Sequence, residues 1–179
     1  MRSRIKFFWF LPKGFFCLLL VAAGIFTLDR VLKEKINCAK DEDFPKKLKG
    51  SRGLVEIRRA FNPGFSMGRL GRHPKLVKAL SVLATIFLAF ALPYMSYTMG
   101  DAFLLQKYGM AMVLGGAMSN TYDRVRYGKV TDYLYIRIGV LKKMIINIGD
   151  IALYFGGILY ALGSLMAWVK NRYCLLYTS

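Results

Sequence analysis

Four runs of mainly apolar residues, each close to the roughly 20 that a helix needs to cross a bilayer, set the terms on which this chain can fold. They cover about residues 14–32, 76–97, 102–122 and 145–169. Inside hydrocarbon every backbone N–H and C=O must be satisfied within its own segment, so each run is read as a transmembrane helix. Apolar residues make up 55% of the chain, more than a water-soluble domain usually carries. A length of 179 residues suits one polytopic domain over 1–179, and four spans would leave both termini on one side. The first run follows Arg2, Arg4, Lys6 and Lys13, as a secretory signal peptide would. It continues into Asp29-Arg30-Val31-Leu32-Lys33 without a small-residue cleavage site, and is therefore expected to be retained.

A formal charge of +17 would point to nucleic acid in a soluble protein. Here the basic residues flank apolar spans, so membrane lipids with anionic head groups are the expected partner and nucleic acid is not. Cys17, Cys38 and Cys174 are far apart and form no CxxC or Cys/His cluster, which predicts neither a disulfide framework nor a zinc site. The sole histidine, His73, sits in the loop-like Gly71-Arg72-His73-Pro74, a poor setting for a general base. The available chemistry narrows to carboxylates, with no metal or cofactor.

Between the first two spans, residues 36–74 form a polar stretch with Lys40-Asp41-Glu42-Asp43 and an alternating run over 53–61 that predicts a short strand or two. This is expected to be a small subdomain on the bilayer surface. Residues 130–136, Val-Thr-Asp-Tyr-Leu-Tyr-Ile, also read as extended. Small residues in the third run (Gly109, Gly115, Gly116, Ala117, Ser119) and the fourth (Gly149, Gly156, Gly157, Gly163) predict faces for close helix packing, including against a substrate helix.

Ionisable groups at the edges of spans are costly, and they are the candidates for function. Asp29 and Lys33 are four residues apart on one helical face and can neutralise each other. Asn120 and Arg124 have the same spacing at the end of the third run, where they can hold an acid or a substrate carbonyl. Asp132 lies in an otherwise apolar and aromatic stretch. Asn147 and Asp150 open the fourth run three residues apart, beside Gly149, and a simple N-cap accounts for one of them but not both. Two carboxylates meeting at the mouth of a span can share one proton, one acting as base on a water and the other donating to a scissile carbonyl. Spacing alone leaves open which acid joins Asp150.

Four blocks taken in order carry a family resemblance: Asp29 to Lys33, Phe61-Asn62-Pro63-Gly64-Phe65-Ser66, Gly115 to Arg124 with Val130-Thr131-Asp132, and Asn147-Ile148-Gly149-Asp150. Together they resemble the prolipoprotein signal peptidases, or signal peptidase II. The resemblance implies a membrane all-α fold of four transmembrane helices with a small extracytoplasmic β-cradle and a surface helix. It implies a monomeric aspartic endopeptidase of the bacterial inner membrane, with its active site at the outer face. Such an enzyme cuts diacylglyceryl-modified prolipoproteins just before the lipid-modified cysteine and is blocked by globomycin. Carried over by motif, Asp132 and Asp150 are the catalytic pair. Asn62, Gly64, Asn120, Arg124 and Asn147 support the site, Asp29 with Lys33 is an orienting pair, and Asp123 is structural.

Two departures stand out: Gly149 replaces the family's usual Ala, and Phe65-Ser66-Met67 replaces small residues followed by Phe. The distribution of Lys and Arg also places the loops after the first and third runs in the cytoplasm, opposite to the family's topology. The reading from another class is a small transporter or assembly factor whose acids bind protons or a cation.

Overall fold

The computed structural model describes residues 14–64, 70–100, 103–139, 142 and 144–177, with side chains as far as 172. The basic residues ahead of Gly14, the departure at Phe65-Ser66-Met67 and the last residues of the chain lie outside this set. Four long helices dominate: α1 (Phe15–Cys38), α2 (Pro74–Thr98), α3 (Leu104–Tyr127) and α4 (Ile148–Tyr177). Among the described residues three segments, Phe15–Cys38, Pro74–Thr98 and Ile148–Arg172, are long and apolar enough to cross a membrane by length and composition. The third sequence run is the exception. Its helix carries buried Gln106, Lys107, Asn120, Asp123 and Arg124, and it packs against all three others. Those polar groups meet protein, so α3 does not need the hydropathy of a lipid-facing span.

Close approach at glycines brings α3 against its neighbours. A methyl group placed on Gly109 would lie 2.6 Å from the Gly156 carbonyl oxygen of α4, and one on Gly156 the same distance from the Gly109 oxygen. On the other side, a methyl on Gly115 would lie 2.6 Å from the Ala22 oxygen of α1. Gly109, Gly115 and Gly116 of α3 are thus engaged in packing within the chain. Gly157 has open space around it and takes no part in this seam.

The polar segments form a four-stranded antiparallel sheet, ordered β1 (Lys46–Lys47), β2 (Val55–Asn62), β3 (Val130–Ile136) and β4 (Ile145–Ile146). The strands read over 53–61 and 130–136 are therefore present. The fourth span does not begin at Ile145 as the apolar run suggested. Ile145 and Ile146 pair with Tyr135 and Leu134, and the helix starts at Ile148. Likewise α1 runs six residues past Leu32, taking Ile36 to Cys38 from the polar stretch. Among the described residues of that stretch, the helical element beyond α1 is the single turn Asp41–Asp43.

The sheet is fixed to α1 by Arg59, which sits where the β2–β3 register slips between Ile57 and Ala60. Its guanidinium donates to the carbonyl oxygens of Ile36 (3.2 Å), Asn37 (3.4 Å) and Ala39 (2.7 Å), and pairs with Asp41. Those carbonyls end a helix and lack intrahelical partners, so a cation there satisfies both their lone pairs and the helix dipole.

Candidate active site

The register of β2 and β3 places Asp132 opposite Ala60, which makes Asn62 its diagonal neighbour on the same face. The Asn62 amide donates to Asp132 Oδ2 at 3.3 Å, while its Oδ1 accepts the Gly64 N–H at 3.0 Å. Arg124 Nη2 in turn donates to the Gly64 carbonyl oxygen at 3.0 Å. Each of these residues was read from the sequence, and the fold brings them to one place.

At the start of α4, Asn147 Oδ1 accepts the Asp150 N–H at 2.7 Å and Asp150 Oδ2 accepts the Asn147 N–H at 3.3 Å. This reciprocal capping box explains both residues, contrary to the sequence argument that a cap accounts for one. The box leaves other atoms free for the site. Asn147 Nδ2 donates to Asp132 Oδ1 at 2.7 Å, and Asn120 Nδ2 donates to Asp150 Oδ1 at 2.9 Å. Asn147 therefore touches both acids. Asp132 and Asp150 line one cavity of about 20 Å³ with Asn62 and Arg124, enough room for a single water.

Beneath the two acids lies a buried ionic cluster. Lys33 Nζ reaches Asp29 Oδ2 at 2.7 Å, Asp123 Oδ2 at 3.1 Å and Asn120 Oδ1 at 2.8 Å. Asp29 also accepts from Ser119 Oγ (2.6 Å) and Tyr133 Oη (2.9 Å), and Asp123 accepts from Arg30 and from the Thr131 N–H (3.2 Å). Lys33 and Arg30 balance Asp29 and Asp123, leaving Arg124 to face Asp132 and Asp150. Asp123, the rival acid in the sequence, has its two oxygens committed to Arg30, Lys33 and Thr131.

Ser119, Arg30 and Tyr133 are members that sequence reasoning missed. Tyr133 also accepts the Ile148 N–H at 3.2 Å, tying α4 to α1 through β3. Its contacts are far away in the chain, so no local spacing marks it. Ser119 was read as a packing residue, and its hydroxyl does more than pack. A methyl on Gly149 would lie 3.0 Å from Asn147 Oδ1 and Asp29 Oδ2 and 3.2 Å from the Gly116 oxygen. The family's Ala would fit here only with small shifts of these neighbours.

Burial pushes the Asp132 carboxyl up to about 7, with the charge of Asp150 adding to it and hydrogen bonds from Asn147 and Asn62 opposing it. An unfolded aspartate titrates near 4. Between these values the folded chain holds a proton that the unfolded chain has lost, so the contribution of Asp132 to stability falls as pH rises from about 4 to about 7. In Asp132→Asn that loss is absent. The variant should gain on wild type as pH rises, by at most about 4 kcal/mol at pH 8. Unfolding in detergent at pH 5 and pH 8 measures this, and a difference that does not grow with pH refutes it.

A family model described as signal peptidase (SPase) II matches residues 21–166. A lipoprotein signal peptidase of Moorella thermoacetica is 32% identical over 143 residues, covering 79% of this chain and 87% of that one. Another, from Aquifex aeolicus, is 28% identical over 150 residues, with 82% and 84% covered. A solved bacterial membrane enzyme superposes with a TM-score of 0.70 at 25% identity, covering 87% of this chain and 89% of the other.

Proposed function

The chain belongs to the signal peptidase II family, a family of membrane proteases, and from that premise we propose that it is an aspartic endopeptidase that cuts diacylglyceryl-modified prolipoproteins just before the modified cysteine. The observation that carries the reading is the convergence of Asp132 and Asp150 on one water-sized cavity, both held by Asn147. One carboxylate takes a proton from the water as its oxygen bonds to the scissile carbonyl carbon. The other, protonated, donates to the carbonyl oxygen. The intermediate then collapses, the C–N bond breaks and the leaving amine takes up a proton. The products are a signal-peptide carboxylate and a lipidated cysteine with a free α-amine.

In this reading Asn62, Gly64 and Arg124 shape the side of the cavity facing the substrate. Asn120 and Asn147 aim the acids, while Asp29 and Lys33 fix Asn120. The protein acts as one monomeric unit over 1–179, with α3 as a fourth span shielded by α1, α2 and α4. The sheet and both acids then lie at the outer face of the inner membrane, where lipid-modified precursors present their cleavage site. Anchoring both partners in the bilayer supplies proximity, so the acids chiefly position water and carbonyl.

Purified protein in detergent should cut a lipidated prolipoprotein without any ion gradient, and globomycin should block it. Failure to cut under these conditions, with the protein folded, would refute the proposal and favour a transporter.

A further inference from the structure

Beside β3 the chain forms a second cavity of about 690 Å³ between the end of α1, the hairpin around β1 and the start of α4. Lys35, Lys46, Lys47 and Lys49 line it. The one acid in the lining, Asp43, already accepts the Lys40 N–H at 3.1 Å. The rest of the lining is apolar, with Leu32 and Ile36 from α1, Leu134 from β3 and Ile148 from α4.

This apolar floor continues along the outer surface of both helices. One turn below Leu32 on the same helical face is exposed Leu28, and three residues beyond Ile148 is exposed Ile151. Helices α1 and α4 both pack on α3 and touch each other far less, so a chain descending from the groove meets little helix–helix packing between them. A ring of cations at the bilayer surface above an apolar floor matches an anionic head group with acyl chains beneath it.

We propose that this groove binds the phosphate head group of one anionic phospholipid of the surrounding bilayer, whose acyl chains descend between α1 and α4. Four cations against one engaged acid argue for a negative ligand. The apolar floor, continuous with the lipid-facing surface, argues for a lipid rather than a soluble anion. Tyr133 lines this groove and bonds to Asp29 and to the start of α4, so the lipid would brace the frame that holds the proposed catalytic pair.

The test uses the full chain in nanodiscs made from an equimolar mixture of phosphatidylglycerol and phosphatidylcholine. The protein is released into mild detergent, and its retained lipids are counted by native mass spectrometry. Wild type should retain phosphatidylglycerol preferentially. Replacing Lys35, Lys46 and Lys47 by Gln should lower that preference about fivefold for each lysine removed. Removing three cations that do not line the groove, Arg52, Arg72 and Lys75, by the same change should leave it intact. Circular dichroism and elution as a single species confirm folding of both variants. Equal loss in the two variants would assign the effect to diffuse surface charge and overturn the proposal. So would a wild type with no preference, or displacement of the retained lipid by a soluble acidic peptide, which would make the groove a peptide site.

Discussion

Asp132→Asn and Asp150→Asn should each lower turnover of a lipidated prolipoprotein by at least about 10³-fold, because the general acid–base role proposed for these carboxylates has no substitute in this cavity. The only histidine, His73, lies at the start of α2. Asparagine keeps the size of the side chain and can still accept from Asn147, so packing around the cavity survives. In Asp132→Asn one conflict remains: Asn62 presents its Nδ2 to this position while its Oδ1 is held by Gly64. That local mismatch costs about 1–3 kcal/mol, which the relief of burying an acid offsets at neutral pH. Loss of cleavage with retained or raised stability is therefore the expected pattern in a detergent assay. A variant that still turns over within tenfold of wild type removes its residue from the catalytic pair. Asp123→Asn is the informative control. Its carboxylate serves Arg30, Lys33 and Thr131, so its loss should lower stability more than turnover of the folded fraction.

The contrast between Asp123 and Asp132 shows what sequence can and cannot carry. Both acids lie near the end of an apolar run, and their local surroundings do not rank them. Only motif resemblance favoured Asp132. In the structure the distinction is electrostatic: Asp123 is buried among cations and donors, whereas Asp132 faces a cavity and the charge of Asp150. Pairs at helical spacing were legible, as with Asp29–Lys33 and Asn147–Asp150. Contacts such as Tyr133 to Asp29, 104 residues away, depend on which helices α3 brings together and leave no periodic trace.

The fold follows the same division. The apolar helices and both main strands were readable from period and hydropathy. The boundary at Ile145–Ile146 was not, because two isoleucines suit the end of a sheet as well as the start of a span. Composition also misrepresents α3, whose polar residues are placed to meet other helices rather than solvent or lipid. A helix at the centre of a bundle is freed from the hydropathy rule that its shielding neighbours obey.

That freedom rests on pairing, and Lys33 tests it most severely. Its ammonium is fully buried and in contact with Asp29, Asp123, Ser119 and Asn120. Lys33→Met fills the same space and leaves two buried carboxylates short of a cation, a change that costs about 3–5 kcal/mol. Unfolding in detergent should show a loss of that size. Pairing it with Asp29→Asn removes one of the uncompensated buried charges and should restore a large part of the stability, since the penalty comes from imbalance rather than from lost attraction. Turnover should not recover in step. Lys33 also donates to Asn120 Oδ1, which orients the Asn120 amide toward Asp150, and neither methionine nor asparagine replaces that donor. A double variant that is stable but slow assigns Lys33 a positioning role beyond charge balance. One in which stability and turnover return together would reduce it to a counter-ion.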